Sequence, residues 1–174
     1  MIIMLARKFS EMIHSRRIEP HEIAFAKELI YRVAHTVFKE TRPLEIMIAD
    51  LDSSGALEDL DNIHKNYFEK GGTFLAMFDE QEMIGTGAIQ RFESDTCELK
   101  RFWLLTTYHG QGLGYRMMQE LLTFARSQGY QHIRLETHAD AQRRAFEFYQ
   151  RIGFRAVPIP NQAPDEDTLM EMEL

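Results

Sequence analysis

Apolar residues recur along the chain in two periods, and the changes of period mark out the elements. Ile23, Ala26, Leu29, Ile30, Val33, Ala34, Val37 and Phe38 fall at three- and four-residue spacing, which predicts an amphipathic helix from His21. Thr41-Arg42-Pro43 closes it, because the residue before a proline avoids the α region. Ahead of it, residues 12–19 read as a weak strand stopped by Pro20. Residues 1–10 have no clear period and are an added edge strand or a loose extension. Residues 44–51 fit a strand or a helix equally well, and Asp52-Ser53-Ser54-Gly55 is a turn. A second helix is expected over residues 57–69, with Leu57, Leu60, Ile63, His64 and Tyr67 or Phe68 inward and Gly71-Gly72 as its stop.

The pattern then alternates. Three strands are expected at residues 73–78, 83–91 and 96–105, and turns this short between them imply an antiparallel meander. Leu113, Met117, Met118, Leu121, Leu122 and Ala125 return to helical spacing, ended by Gln128-Gly129. Residues 132–137 alternate as a strand. Asp140 reads as the N-cap of a helix carrying Ala141, Ala145, Phe148, Tyr149 and Ile152 on one face, with Gly153 as its stop. Residues 154–159 and 168–174 are expected strands around a loop marked by Pro158, Pro160 and Pro164. A strand–helix–strand crossover makes the third meander strand and the Ile133 strand parallel neighbours, so the sheet is mixed and covered by helices.

Composition narrows the class. At 174 residues the chain suits one domain with a real core, expected to span residues 1–174. A net charge of −7 argues against a nucleic-acid partner, which would call for a basic face. The single Cys97 excludes an intramolecular disulfide framework and suits a reducing compartment. No apolar run approaches the ~20 residues a membrane span needs. The apolar start, residues 1–6, is too short for a signal peptide, so a cytoplasmic location is expected.

The stretch that carries chemistry is His109-Gly110-Gln111-Gly112-Leu113-Gly114-Tyr115, between an apolar strand and an amphipathic helix. Glycines let backbone N–H groups approach a ligand, and a helix N-terminus adds unpaired N–H groups and partial positive charge. Together they predict an anion cradle, most often for phosphate. A dinucleotide fingerprint would need a third glycine where Tyr115 stands, and no Gly-Lys-Ser/Thr follows for a phosphate-binding loop of the Walker type. The seven histidines are scattered without metal-ligand spacing, so no metal is expected.

Residues 98–154 resemble the GNAT superfamily of acyl-CoA-dependent N-acetyltransferases in three places. Glu98-Leu99-Lys100-Arg101-Phe102-Trp103-Leu104 is similar to the family's central strand. His109-Gly110-Gln111-Gly112-Leu113-Gly114 is similar to its Arg/Gln-x-x-Gly-x-Gly/Ala loop, with His109 where Arg or Gln is commonest. Ala145 to Phe154 is similar to its Ala-x-x-x-Tyr-x-x-x-Gly-Phe signature, and Gln142 stands where an Asn often precedes that helix. The resemblance implies an α/β fold, with a mixed, mostly antiparallel sheet of six to seven strands flanked by about four helices. It also implies acetyl-CoA as co-substrate. His109, Gly110, Gln111, Gly112, Leu113, Gly114 and Tyr115 would hold its pyrophosphate, and Phe102, Trp103 and Leu104 would hold its pantetheine arm. Gln142 would support its thiol end.

Amide formation needs a neutral amine, an activated carbonyl and a proton for the departing thiolate. The resemblance implies Glu98 as general base, the Leu104 backbone N–H as donor to the carbonyl and Tyr149 as general acid. Glu98 and Tyr149 each have a plainer alternative: Glu98 pairing with Arg101 or solvating a strand end, and Tyr149 packing as a core tyrosine. The expected partner is a small-molecule or peptide amine, with a homodimer also within range; neither nucleic acid nor membrane is expected. The acceptor should be shaped by residues 41–57 and 158–167, where Asp50, Asp52, Asp165, Glu166 and Asp167 could attract a cationic amine. The rival function is an acyl-CoA-binding or regulatory domain that has lost turnover.

Overall fold

The computed structural model describes residues 13–158 and 167–174. The reading of residues 1–10, and the loop acids Asp165 and Glu166, lie outside them. Seven strands form one sheet: β1 (Ile13–Arg17), β2 (Thr73–Asp79), β3 (Glu82–Arg91), β4 (Thr96–Leu104), β5 (His132–Thr137), β6 (Arg155–Ala156) and β7 (Thr168–Glu173), in the order β1-β2-β3-β4-β5-β7-β6. Every neighbouring pair is antiparallel except β4 and β5. That exception follows from the crossover helix, which returns the chain to the same end of the sheet. The helices are α1 (Ile23–Val37), α2 (Leu44–Ser53), the single-turn α3 (Ile63–Asn66), α4 (Leu113–Ser127) and α5 (Arg143–Ile152). None among the described residues is long and apolar enough to cross a membrane.

Two apolar layers cover the sheet. On one face α4 buries Leu113, Met117, Met118, Leu121, Leu122 and Ala125, the whole of its expected stripe. Gly87 lets α4 come close: a Cβ there would stand 2.8 Å from Leu121 Cδ1 and 3.0 Å from Met117 Sδ. On the other face α1 contributes Ala26, Leu29, Ile30 and Val33, joined by Met47, Leu57, Leu60, Ile63 and Tyr67.

Four local expectations change. Residues 44–51, open between strand and helix, are helical, and the helix runs on through Asp52 and Ser53, where a turn was expected: the N–H groups of Ile46 and Met47 both donate to Pro43 O, and only Met47 is buried. The helix expected over residues 57–69 is broken into two 3-10 turns around α3. Asn62 leaves helical backbone there to cap α3, its side chain accepting from Lys65 N–H at 3.0 Å. His64 points outward, 72% exposed, because the break rotates it off the apolar face. Asp140 does not cap α5. That helix starts three residues later with Gln142 as N-cap, and the residues between form a turn closed by Ala141 N–H to His138 Nδ1 at 3.1 Å. The strand expected at 154–159 shrinks to the two residues of β6 within the described part.

Candidate active site

The site grows from the place where the parallel pair comes apart. β4 and β5 are in register only at Thr96↔His132, Cys97↔Ile133 and Glu98↔Arg134. β4 continues to Leu104 along β3, while β5 continues along β7. Beyond Glu98 the side of β4 facing β5 therefore has no strand partner. Leu105 N–H donates to Ile84 O on β3 at 2.9 Å. Backbone groups alternate along a strand, so both those of Leu104 face away from β3, into the opening.

A cleft of about 720 Å³ occupies this opening. That is the size range of pockets that hold cofactor-sized ligands. Phe102, Trp103, Leu104, His109, Gly110, Gly112, Leu113, Gly114, Tyr115, Gln142 and Tyr149 all line it. Two expected site residues do not. Gln111 turns back, its Nε2 donating to Thr107 O at 3.3 Å. Glu98 lies at the vertex where the strands part, its carboxylate 3.4 Å from Arg134 Nε. Its alternative partner, Arg101, is engaged elsewhere, with Asp59.

The glycine turn is built from both ends. Gly110 and Gly112 sit at φ +79° and +78°, left-handed backbone that favours glycine. Gly112 is the N-cap of α4 and offers no side chain to its first turn. The first hydrogen bond of that helix runs from Arg116 N–H to Gly112 O at 3.0 Å. Among the described residues no protein acceptor meets the N–H groups of Gly110 to Tyr115, so a row of donors is left at a positive helix end. The approach to the turn is anchored by Tyr108, whose hydroxyl donates to Asp79 Oδ2 at 2.8 Å; that bond pushes its phenol pKa up to about 12. His109 lines the cleft and is half-buried. Its Nε2 meets Leu104 O at 3.0 Å and ties the turn to the end of β4.

α5 forms the opposite wall. Tyr149 is 7% exposed and packs among Phe102, Phe148 and Phe154, at ring separations of 6.2, 5.7 and 5.9 Å. Burial pushes its phenol above the ordinary tyrosine value, so it stays protonated. Gln142 Oε1 accepts from Thr137 Oγ1 at 2.9 Å and from His138 N–H at 3.1 Å, which leaves its NH₂ without a protein acceptor among the described residues.

Arg144 and Arg151 also line the cleft, and neither was foreseen. The signal was present, since Arg144, Phe148 and Arg151 share the i, i+4, i+7 stripe of one helix. Arg144 Nη2 lies 4.0 Å from where a Gly110 Cβ would stand, at the edge of the donor row. Arg144→Ala should weaken coenzyme A binding about fivefold at low salt, in line with ~1 kcal/mol for an exposed charge contact. The effect should shrink at high salt; titration calorimetry at two ionic strengths measures both.

Two of the acids expected to attract an acceptor are engaged within the fold. Asp50 pairs with Arg42 at 2.6 Å and Asp52 accepts the Tyr31 hydroxyl. No carboxylate lines the cleft among the described residues, and its α1 side is Val33, Thr36 and Val37 beside Trp103.

A family model described as the Acetyltransferase (GNAT) family matches residues 26–154. The chain is 29% identical over 114 residues to the uncharacterized N-acetyltransferase YjgM of Escherichia coli (strain K12), covering 64% of this chain and 68% of that one. Among solved structures, a GNAT-family acetyltransferase of Staphylococcus aureus Mu50 superposes with a TM-score of 0.77 at 20% identity, over 92% of this chain and 98% of that one. The PaiA N-acetyltransferase of Thermoplasma acidophilum, solved with coenzyme A, gives 0.74 at 19% identity, over 93% and 99%. Fold, glycine turn and matched span agree: the chain belongs to the GNAT family of N-acetyltransferases.

Proposed function

We propose that this chain transfers an acetyl group from acetyl-CoA to a primary amine by direct attack, with both substrates bound together. The observation that carries this reading is the continuity of the cleft. One opening joins the unpaired N–H row of the glycine turn to the partner-free end of β4 and to Tyr149.

The residues fit the coenzyme in kind. The donor row suits a pyrophosphate, with Arg144 beside it, and Gly110 and Gly112 carry no Cβ to obstruct it. The Phe102 backbone groups and the Leu104 N–H, which face away from β3, suit the amides of a pantetheine arm laid along them like a short strand. The thioester supplies the activated acyl group. The Leu104 N–H would donate to its carbonyl oxygen as negative charge develops there. Tyr149 would give its proton to the leaving sulfur, and Gln142 would steady that end through its free NH₂. Glu98 would draw the proton from the amine through water, because its carboxylate stands outside the cleft at the strand vertex.

The test is release of free coenzyme A thiol from acetyl-CoA across a panel of amines, with the acetylated product identified by mass. Amine-dependent release with a matching product is expected. A second reading, a non-catalytic acyl-CoA-binding domain, is favoured by the engagement of Glu98 with Arg134. It predicts coenzyme A binding with no turnover on any amine.

A further inference from the structure

β4 does not run straight into the cleft. Its register with β3 shifts between Thr86↔Trp103 and Ala88↔Lys100, so Arg101 and Phe102 together oppose Gly87. That is a β-bulge, and the residue at its first position, Arg101, has φ +53°. Bulges with left-handed backbone there ordinarily carry glycine, since a side chain disfavours that conformation. Here an arginine occupies it, and an unusual set of bonds surrounds it.

Arg101 donates to Asp59 through both Nε (3.1 Å) and Nη2 (2.5 Å), and Nη2 also donates to Ala56 O at 2.9 Å. The Arg101 carbonyl accepts from Thr86 Oγ1 at 2.8 Å. Asp59 is held in turn by the Tyr67 hydroxyl. The pair is mostly buried, with 22% of the Arg101 and 16% of the Asp59 side chain exposed. The bulge is thus pinned on the side chain from the turn after α2 and on the backbone from β3.

The extra residue also sets the phase of the strand end. A slip of one residue would exchange the faces of every following residue. With the bulge in place, Phe102 and Leu104 pack with the α4–α5 layer, Trp103 with the α1 layer, and the Leu104 N–H faces the cleft.

We propose that Arg101 is a positioning residue for acyl transfer: its pairing with Asp59 holds the β4 bulge and so aims the Leu104 N–H at the thioester carbonyl. This inference rests on the acetyl-transfer reading above. Arg101→Ala removes the tether but keeps a Cβ at left-handed backbone, so the bulge relaxes. Arg101→Gly removes the tether and the conformational penalty together, so the bulge persists.

The experiment uses an acetyl-CoA analogue in which a methylene replaces the thioester sulfur beside a ¹³C-labelled ketone carbonyl. It binds but cannot transfer, so it reports on the carbonyl without an acceptor amine. The expected result is a downfield carbonyl shift in wild type and Arg101→Gly, lost in Arg101→Ala, with analogue affinity alike in all three. With an amine that the wild type acetylates, kcat of Arg101→Ala should fall about 10²-fold, as for loss of one such donor. Arg101→Gly should recover most of it, with KM for acetyl-CoA little changed. Thermal melting confirms that each variant is folded at the assay temperature, and Arg101→Lys gives a second tether-weakened variant, expected between wild type and alanine. An unchanged carbonyl shift in folded, analogue-bound Arg101→Ala overturns the proposal, as does equal loss in the alanine and glycine variants. Absence of turnover with every amine would instead strike at the acetyl-transfer reading, while the carbonyl shift still decides the role of Arg101.

Discussion

Replacing Tyr149 with phenylalanine should lower kcat for acetyl transfer by about 10²–10⁴-fold, the usual worth of a positioned general acid. The ring itself is kept, so its contacts with Phe102, Phe148 and Phe154 remain. Coenzyme A affinity and thermal stability should therefore change little. A core tyrosine would behave in the opposite way, with turnover intact. The pH dependence separates the two further. Burial raises the phenol pKa, so Tyr149 stays a proton donor up to and beyond pH ~10, where an ordinary tyrosine begins to ionise. The kcat profile of the wild type should show no loss attributable to a tyrosine below that pH. Stopped assays of thiol release from pH 6 upward, with wild type and variant side by side, make the measurement.

The largest effect on stability is expected at Asp59. Asp59→Ala leaves the Arg101 guanidinium in a mostly buried place without its counter-charge, and leaves the Tyr67 hydroxyl without its acceptor. Breaking a buried pair from one side costs about 3–5 kcal/mol. Chemical denaturation should show that loss as a lower midpoint with little change in slope. The sign of the pH effect follows from the Asp59 carboxyl. Burial acts to raise its pKa, but hydrogen bonds from Arg101 and Tyr67 outweigh it, and the net shift is downward. A group depressed in the folded state stabilises the fold above its unfolded pKa, about 3.9, and loses that stabilisation as pH falls through the folded value. The stability gap between wild type and Asp59→Asn should therefore be full near neutrality and narrow in acid.

Much of the fold was legible because its signals are local. The α4 stripe, the meander turns and the crossover are written in spacing and in short connections, and the structure reproduces them. The glycine turn was legible for the same reason, since Gly110 and Gly112 stand where left-handed backbone is required. What failed depended on distant partners. Residues 44–51 have no decisive period, and the helix over 57–69 breaks where Asn62 caps a new turn. Asp140 looked like a cap on residue type alone, but Gln142 wins that position by reaching back to Thr137 and His138 at the end of β5.

The site shows the same division. The glycine turn and Tyr149 are legible from a local motif and helical spacing, whereas Arg144 and Arg151 stand on the same helix without such a motif. Closeness on one strand makes Arg101 a candidate partner for Glu98, the plainer alternative to a catalytic role. The bulge sends Arg101 to Asp59, 42 residues away in sequence, and leaves Glu98 beside Arg134 on β5. No spacing rule reports a β-bulge at an arginine, where glycine is the usual occupant. In the acceptor region Arg42 and Tyr31 engage Asp50 and Asp52 within the fold, contacts that residue spacing does not report.

The most direct test of the central claim is thiol release from acetyl-CoA by the purified full chain, measured with and without each amine of a broad panel, with products identified by mass. Release that depends on an amine, matched mole for mole by its N-acetyl product, is the expected result. Saturable coenzyme A binding without amine-dependent release from any member of the panel would contradict it.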